Sequence, residues 1–416
     1  MVNYQYAAKF NEDSLDKQIS IVSDDQTINL TNADIVGESF ELTETLCSSG
    51  NITYGATEPS CLKFKVRNSV PKMYKKWITV TINMQGATPF QLGVYRVWIE
   101  KPSADRSTRD ITAYDVLYNI MQKTYKKWYN SLWENTETMT LKQFRDAWFA
   151  RLALTHGHIT QETAALVNDN IVIRKSKKIP KPTGKDIFNA ICEASGVFGH
   201  IGRDGVFHYL WLRKESPIAI SNTRLISADY EDFETVDIDR VEILDPDGNV
   251  LNYYGEIPAS AENTYTIESN FLLKFLAKDE DGVTKAGIMA QNLALMMQKT
   301  RYTPVDIECK GHPCYEVGDY ISFASHGYTI KSYILERTLK GIQSLRDNYY
   351  AECGNGEYFA NNYDNTSNSY SGKIKELENR ISAVEDNEGG STGGYIVAAI
   401  NNTAVVQYTL NGQDAG

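Results

Sequence analysis

No run of 18 apolar residues occurs in this chain of 416, so no segment is long and apolar enough to cross a membrane as a helix. The opening Met1-Val-Asn-Tyr-Gln-Tyr6 carries no apolar h-region, and no signal peptide is expected. Cysteine is sparse: Cys47, Cys61, Cys192, Cys309, Cys314 and Cys353 are scattered, and their spacing outlines no disulfide framework. That points to a product made in a reducing cytoplasm. Proline is also scarce, at 11 residues. There is no Walker loop, no dinucleotide fingerprint and no G-x-S-x-G elbow, which removes the nucleotide-binding and serine-hydrolase readings that rest on those motifs. What is present is a 42% hydrophobic fraction, enough for well-formed cores, and 26 tyrosines. The length predicts two to three domains at roughly 150 residues each.

The formal charge of −11 is uneven: −2 over residues 1–100, +6 over 101–220 and −15 over 221–416. The acidic final half would repel nucleic acid. Much of the basic excess lies in Arg174-Lys-Ser-Lys-Lys178, read as a solvated loop.

Residues 1–100 read as β. Gln18–Val22, Cys61–Val66, Ile78–Ile82 and Gly93–Ile99 are short strands, the middle two with clear period-two alternation, and the spacing suggests a barrel or sandwich. Over 112–170 the period turns helical, with Leu117, Ile120, Thr124, Trp128 and Leu132 on one face. Thr140-Leu-Lys-Gln143 fits a capping box, and Thr160 is expected to open a further short helix. Ile171–Ile173 looks like a strand. Thr183 caps a helix with Ile187, Phe188, Ile191 and Cys192 inward, and Gly196 suits a left-handed C-cap. Hairpins are expected to turn at Arg203-Asp-Gly205 and Asp245-Pro-Asp-Gly248. A helix over 284–300 carries Ile288, Leu293, Leu295, Met296 and Met297, and a last β stretch runs from Val305 to Ala351. An internal echo links Val97–Lys101 and Arg109–Ala113 with Tyr333–Arg337 and Arg346–Ala351, which would make two related β domains.

Few residues form a recognisable chemical set. Lys72-Met-Tyr-Lys-Lys-Trp77 and Lys123-Thr-Tyr-Lys-Lys-Trp128 repeat a basic-aromatic pattern found in nucleic-acid binders, though helical spacing and the acidic total favour burial of the second. His156-Gly-His158 matches half of the zinc site of lysostaphin-type peptidases, but no histidine precedes it to complete the set. Cys309, His312 and Cys314 give three possible ligands where structural zinc takes four, so core thiols are the expectation. Cys192 falls on the inner face of its helix, unsuited to a reactive thiolate. No catalytic residue, metal or cofactor is expected.

Near the end, Tyr370, Ile374, Leu377, Ile381 and Val384 are spaced 4, 3, 4 and 3, the rhythm of a coiled-coil seam. The same spacing also fits an amphipathic helix packed on its own body. A Gly-rich spacer, Glu388 to Gly394, and a last piece from Tyr395 follow.

Six segments occur in order along about residues 15–355. They are Glu38-Ser-Phe-Glu-Leu-Thr-Glu-Thr-Leu-Cys47 with Thr53-Tyr-Gly55; Gly93-Val-Tyr95 before Ile111-Thr-Ala-Tyr-Asp115; Asn168-Asp-Asn-Ile171; Thr183-Gly184 through Gly196–Gly205; Asn263–Asn270; and Gly311-His-Pro-Cys-Tyr-Glu-Val-Gly-Asp319. This series resembles the tail hub, or tail-associated (Tal-like) baseplate hub, proteins of bacterial viruses. The last segment is the most specific, with Gly311, Pro313, Gly318 and Asp319 as fold-defining turns.

The resemblance implies an α+β, β-rich fold with two tube-type β-barrel domains, intervening α/β domains and a short C-terminal trimeric coiled coil. On that plan residues 1–110 form the first barrel and 111–220 an α/β domain with helices and hairpin. Residues 221–300 form an α+β domain with part of the second barrel, and 301–355 supply its remainder. A linker (356–369), the coil (370–386) and the spacer with terminal segment (387–416) complete it. It also implies a homotrimer that docks on a hexameric ring of the tail tube or distal tail protein and adapts six-fold to three-fold symmetry at a DNA exit channel. Further implied partners are the tape measure protein and tip, fibre or receptor-binding proteins, with DNA only in transit and no stable membrane insertion. The place implied is the virion tail tip, after synthesis in the host bacterial cytoplasm, in a structural and non-enzymatic role. Three other readings stand beside it: a cell-wall-degrading tail enzyme, a host-glycan adhesin, and the hub of a phage-derived injection device.

Overall fold

The computed structural model describes residues 10, 12, 15–47, 52–85, 89–157, 159–175, 181–212, 216–245, 247–257, 260–261, 263–274, 276, 280–297 and 300–353, with the backbone of 395–399 and 405–409. The seam residues Tyr370, Ile374, Leu377, Ile381 and Val384 lie outside the described residues.

The chain is β-rich with few helices, an α+β fold. It opens with seven strands: β1 (Lys17–Ser23), β2 (Asn29–Leu30), β3 (Glu41–Thr45), β4 (Cys61–Arg67), β5 (Trp77–Met84), β6 (Phe90–Pro102) and β7 (Thr108–Tyr114). A helical stretch follows with α1 (Val116–Met121), α2 (Lys126–Leu132), β8 (Thr138–Thr140), α3 (Leu141–His156), β9 (Thr160–Gln161), β10 (Val172–Arg174) and α4 (Gly184–Glu193). Next come β11 (Phe198–Ile201), β12 (Val206–Leu210), β13 (Ile218–Ile220), β14 (Leu225–Tyr230), β15 (Arg240–Leu244), β16 (Val250–Gly255), β17 (Thr264–Ile267) and α5 (Glu280–Met297). The body ends in β18 (Val305–Lys310), β19 (Tyr320–Ser325), β20 (Tyr328–Tyr333), β21 (Glu336–Lys340) and β22 (Arg346–Ala351); β23 (Tyr395–Ala399) and β24 (Val405–Thr409) pair with each other beyond it.

One antiparallel sheet of eleven strands dominates, in the order β14-β18-β22-β21-β3-β4-β7-β6-β5-β1-β2. Its first seven strands in sequence bury alternate residues, as in β5, where Ile78, Val80 and Ile82 face in while Thr79 and Thr81 do not. After β2 the chain returns to β4: Ile35 bridges Val66, and Val36 N–H donates to Lys65 O at 2.8 Å. β1 is tied at its start to the far end of the chain, where Lys17 N–H donates to Gln343 Oε1 at 3.0 Å. The core between these strands takes in Cys314, Leu339, Ile342 and Leu345 from residues three hundred positions away. The second core gathers the helices, the small sheets of residues 138–333 and the later strands of the body.

Several sequence expectations change. The single helical face over Leu117 to Leu132 is split between α1 and α2. The backbone at the break is engaged elsewhere: Gly184 N–H donates to Lys123 O and Tyr125 N–H donates to Pro182 O, so these groups leave the helical ladder. Thr160 begins a two-residue strand rather than a helix, because Thr160–Gln161 pairs in parallel with β12 and Glu162 N–H donates to Phe207 O. Of the apolar residues noted in the sequence of α5, Ile288 and Leu295 are 46% and 61% exposed; the buried residues are Gly282, Ala286, Met289, Ala290, Leu293, Ala294 and Met297. Small residues among them let the helix lie close to β15 and β16. Gly196 is left-handed at φ 65°, two residues beyond the helix cap at Ala194.

Other expectations hold. Thr140 and Thr183 each form complete capping boxes, with Gln143 and Asp186 respectively. The hairpins turn where expected, between β11 and β12 and between β15 and β16.

Candidate functional site

The join between β3 and β21 holds a cluster of buried charge. Strand alternation puts Glu44 on the inward row of β3 beside Leu42, Arg337 on that of β21 beside Leu339, and Asp347 on that of β22 beside Tyr349. The β3–β21 register sets Arg337 directly opposite Glu44. All three side chains are buried. A charged residue in a row of apolar ones must find partners within reach, and these do.

Arg337 uses its guanidinium fully. Nε and Nη2 donate to the two oxygens of Asp347 at 2.9 and 3.0 Å, Nη1 donates to Glu44 Oε2 at 2.8 Å, and Nη2 also reaches His312 O at 3.0 Å. Burial works against its charge, but Asp347 first and then Glu44 hold its pKa well above the ordinary arginine value. Glu44 is desolvated too, yet Arg203 and Arg337 outweigh that and keep its carboxyl below the usual range.

Arg203 brings in the middle of the chain. It sits in the tight turn between β11 and β12, donates from Nη2 to Glu44 Oε2 at 3.3 Å and Tyr315 O at 2.8 Å, and donates from Nε to Glu316 Oε1 at 2.8 Å. Three parts of the sequence, around residues 44, 203 and 311–347, are therefore bound to one another by two guanidiniums.

The segment Gly311–Asp319 wraps this cluster. His312 N–H donates to Asp347 Oδ2 at 2.8 Å, and its ring stacks on Tyr315 at 4.0 Å. Gly311 passes so close to the β21–β22 turn that an added Cβ would lie 2.7 Å from that of Leu345. Pro313 follows in the same turn. Gly318, at φ 90°, donates to Ile334 O at 2.7 Å, and Asp319 accepts from Glu316 N–H at 3.0 Å. Sequence reasoning picked out these turn residues but missed Glu44, Arg203, Arg337 and Asp347. The signal available was charge at inward parity in Phe40–Leu46 and Leu335–Leu339, legible only once the strand faces are known.

The bonds of Arg337 and Arg203 to Glu44, Asp347 and Glu316 make this cluster a clamp between β3, β21, β22 and the β11–β12 turn. The other candidates are placed separately. Cys192 is buried against Thr57, and burial pushes its thiol up to about 12. Cys309 and Cys314 are buried, their thiols pushed up to about 12 and about 11, again chiefly by burial. Among the described residues no three His, Cys, Asp or Glu side chains gather as a metal site. His156 is half-buried at the end of α3, and His158 lies outside the described residues. No helix among them is long and apolar enough to cross a membrane.

No family model and no curated protein matches the chain. Among solved structures it is similar to a 43 kDa tail protein of prophage MuSo2 from Shewanella oneidensis, at TM-score 0.49 and 11% identity, over 80% of this chain and 97% of that one. A tail protein from Neisseria meningitidis MC58 gives TM-score 0.48 and 11% identity over 82% and 99%. A prophage tail protein, gp18, from Listeria monocytogenes EGD-e gives 0.45 and 14% over 88% and 99%.

Proposed function

We propose that this protein is a structural component of a phage tail, a trimeric hub at the distal end of the tail tube. The observation that carries this reading is the β3–β21 register. Strands of residues 301–355 stand beside those of residues 1–110 in one antiparallel sheet, clamped by Arg337, Glu44 and Arg203. In the hub plan two tube-type barrels per chain give six positions from three chains, matching a hexameric ring below a tube. β1–β7 would be the first barrel; β14 and β18–β22, with β13 paired to β19, would be the second. The segments between them, α1 to β12 and β15 to α5, would be the intervening α/β domains.

The mechanism is geometric. On this reading the sheet would hold the two barrels side by side, and the clamp would hold the middle segment against both. A ring of three such chains adapts six-fold to three-fold symmetry and surrounds the channel through which DNA leaves. Carboxylates facing that channel would keep phosphates from sticking. The partners on this reading are the distal tube ring, the tape measure protein within it, and tip, fibre or receptor-binding proteins outside. The seam Tyr370 to Val384 would close as a short coil where the three chains meet.

Light scattering of the purified chain over a range of concentrations tests this. A species of three times the 46.9 kDa chain mass is expected, alone or on addition of the hexameric tube-end protein. A single-chain mass under both conditions contradicts the reading.

A further inference from the structure

The two basic-aromatic segments of the sequence converge on one surface away from the clamp. Lys72–Trp77 leads into β5, Arg96 and Trp98 lie on β6, Tyr114 ends β7, Tyr118 is on α1 and Lys123 follows it. Strand register sets Trp77 opposite Arg96 and Arg96 opposite Tyr114. The Arg96 guanidinium lies over the rings of Trp77 and Trp98, 5.9 and 5.3 Å from their centroids, and its Nε donates to Lys75 O at 3.3 Å. Tyr118 stacks on Tyr114 at 3.9 Å and meets Trp98 edge-on. His156 sits beside Asn119 and Tyr125; burial first, then the charges of Lys123, Arg151 and Arg96, push its pKa down to about 4.

Lys75, Lys123 and Arg151 are exposed, and among the described residues no ion pair engages them or Arg96. Arg96 lies over Trp77 and Trp98, and Tyr114 and Tyr118 cover one another, which leaves Tyr74, 51% exposed, as the exposed ring of this surface. What is left unmatched is positive charge on a chain of net −11.

The matching negative charge is on the same molecule, seven strands away along the sheet. From Leu225 to Asp239 the sequence has six carboxylates and no Lys or Arg. Asp229, Glu231, Asp232 and Glu234 are exposed, and among the described residues no ion pair engages them. They begin on β14, which pairs with β18 on one side and, among the described residues, with no strand on the other. Ile226, on that open strand, is 43% exposed. An unpaired edge with neighbouring charge guards against indiscriminate strand pairing, yet it also suits a partner of opposite charge.

We propose that the acidic β14 edge of one copy docks on the Lys75–Arg96–Lys123–Arg151 face of a second copy. The inference rests on the trimeric reading and names the surfaces that make the trimer. Because the two patches are different parts of one chain, the contact is head-to-tail, the kind that closes into a ring when the rotation permits. Four cations facing four carboxylates set the orientation of the copies and speed their encounter.

Charge reversal tests this on the full chain, with mass read by sedimentation and folding read by circular dichroism. The Lys75→Glu, Lys123→Glu, Arg151→Glu variant should sediment as a single chain where the wild type is a trimer. So should Asp229→Lys, Glu231→Lys, Asp232→Lys, Glu234→Lys. Both sets together in one chain should restore the trimer. If a reversed chain fails to fold, Lys75→Ala with Lys123→Ala serves, expected to raise the trimer dissociation constant by about ten-fold or more at low salt, with the difference shrinking at high salt. Trimers from every variant would overturn this interface and leave the trimeric reading standing; a wild type that stays a single chain at all concentrations, both alone and with the hexameric tube-end protein added, overturns both. Binding of single-stranded DNA lost in the basic-face variant, with the trimer unaffected, would assign that face to nucleic acid and likewise overturn the proposal.

Discussion

Arg337 ties three strands of the interior together. It is fully buried between Glu44 and Asp347, and no other described cation bonds to Asp347. Removing one partner of such a cluster leaves uncompensated charge in a dry site. Arg337→Met is therefore expected to lower the stability of the body by about 3–5 kcal/mol, read from urea unfolding. A loss below about 1 kcal/mol would mean that Glu44 and Asp347 simply take up protons. A second residue gives a pH dependence. Burial works against a charge on His208, but Glu162 and Asp204, at 3.0 and 3.1 Å on its two ring nitrogens, raise its pKa above the ordinary value of 6.5. The folded state then holds the proton more tightly than the unfolded state. That contribution is complete below pH 6.5 and disappears as pH rises through the folded value. His208→Gln should cost stability at about pH 5.5 and little at about pH 9; an equal cost at both contradicts the assignment.

Elements were legible in the sequence where they are set locally. Thr140 and Thr183 announce their helices because a capping box is completed within four residues, and Thr183→Ala should cost about 1 kcal/mol in thermal unfolding. A cost indistinguishable from zero would show that packing of α4 alone holds its start. Strands β4 and β5 were readable by alternation. The break between α1 and α2 was not, because its cause is the 181–184 segment, which reaches across to take the backbone groups of Lys123 and Tyr125. The two-residue β9 was hidden for the same reason: its partner, β12, lies forty-six residues on. The clamp was half legible. Gly311, Pro313, Gly318 and Asp319 stand out as turn residues, whereas Glu44 and Arg337 look like surface charges until the β3–β21 register turns both inward. Gly311 makes a sharp test of that turn. Gly311→Ala brings a methyl to 2.7 Å from the Leu345 Cβ and 3.0 Å from the Arg346 N, so it should destabilise the β21–β22 turn by about 1–3 kcal/mol. A neutral effect would show that the turn relaxes freely.

At the scale of the molecule, one sheet holds both ends of the body. The core under β1–β7 is completed by Leu339, Ile342 and Leu345, so residues 1–110 have no closed core of their own. The seam at Tyr370 to Val384 spans barely two heptads, and isolated helices of that length are marginal in water. On the trimeric reading, assembly would then come from the body. Ile374→Asp with Ile381→Asp is expected to leave the mass in light scattering at three chains, and a fall to one chain would give the seam the larger role. The most direct measurement is an electron-microscopic reconstruction of the intact particle with this chain located in it. The account predicts three copies, in a ring with six similar β positions, at the distal end of the tail tube. Density for this chain anywhere else on the particle, or a number of copies that is not three, contradicts it.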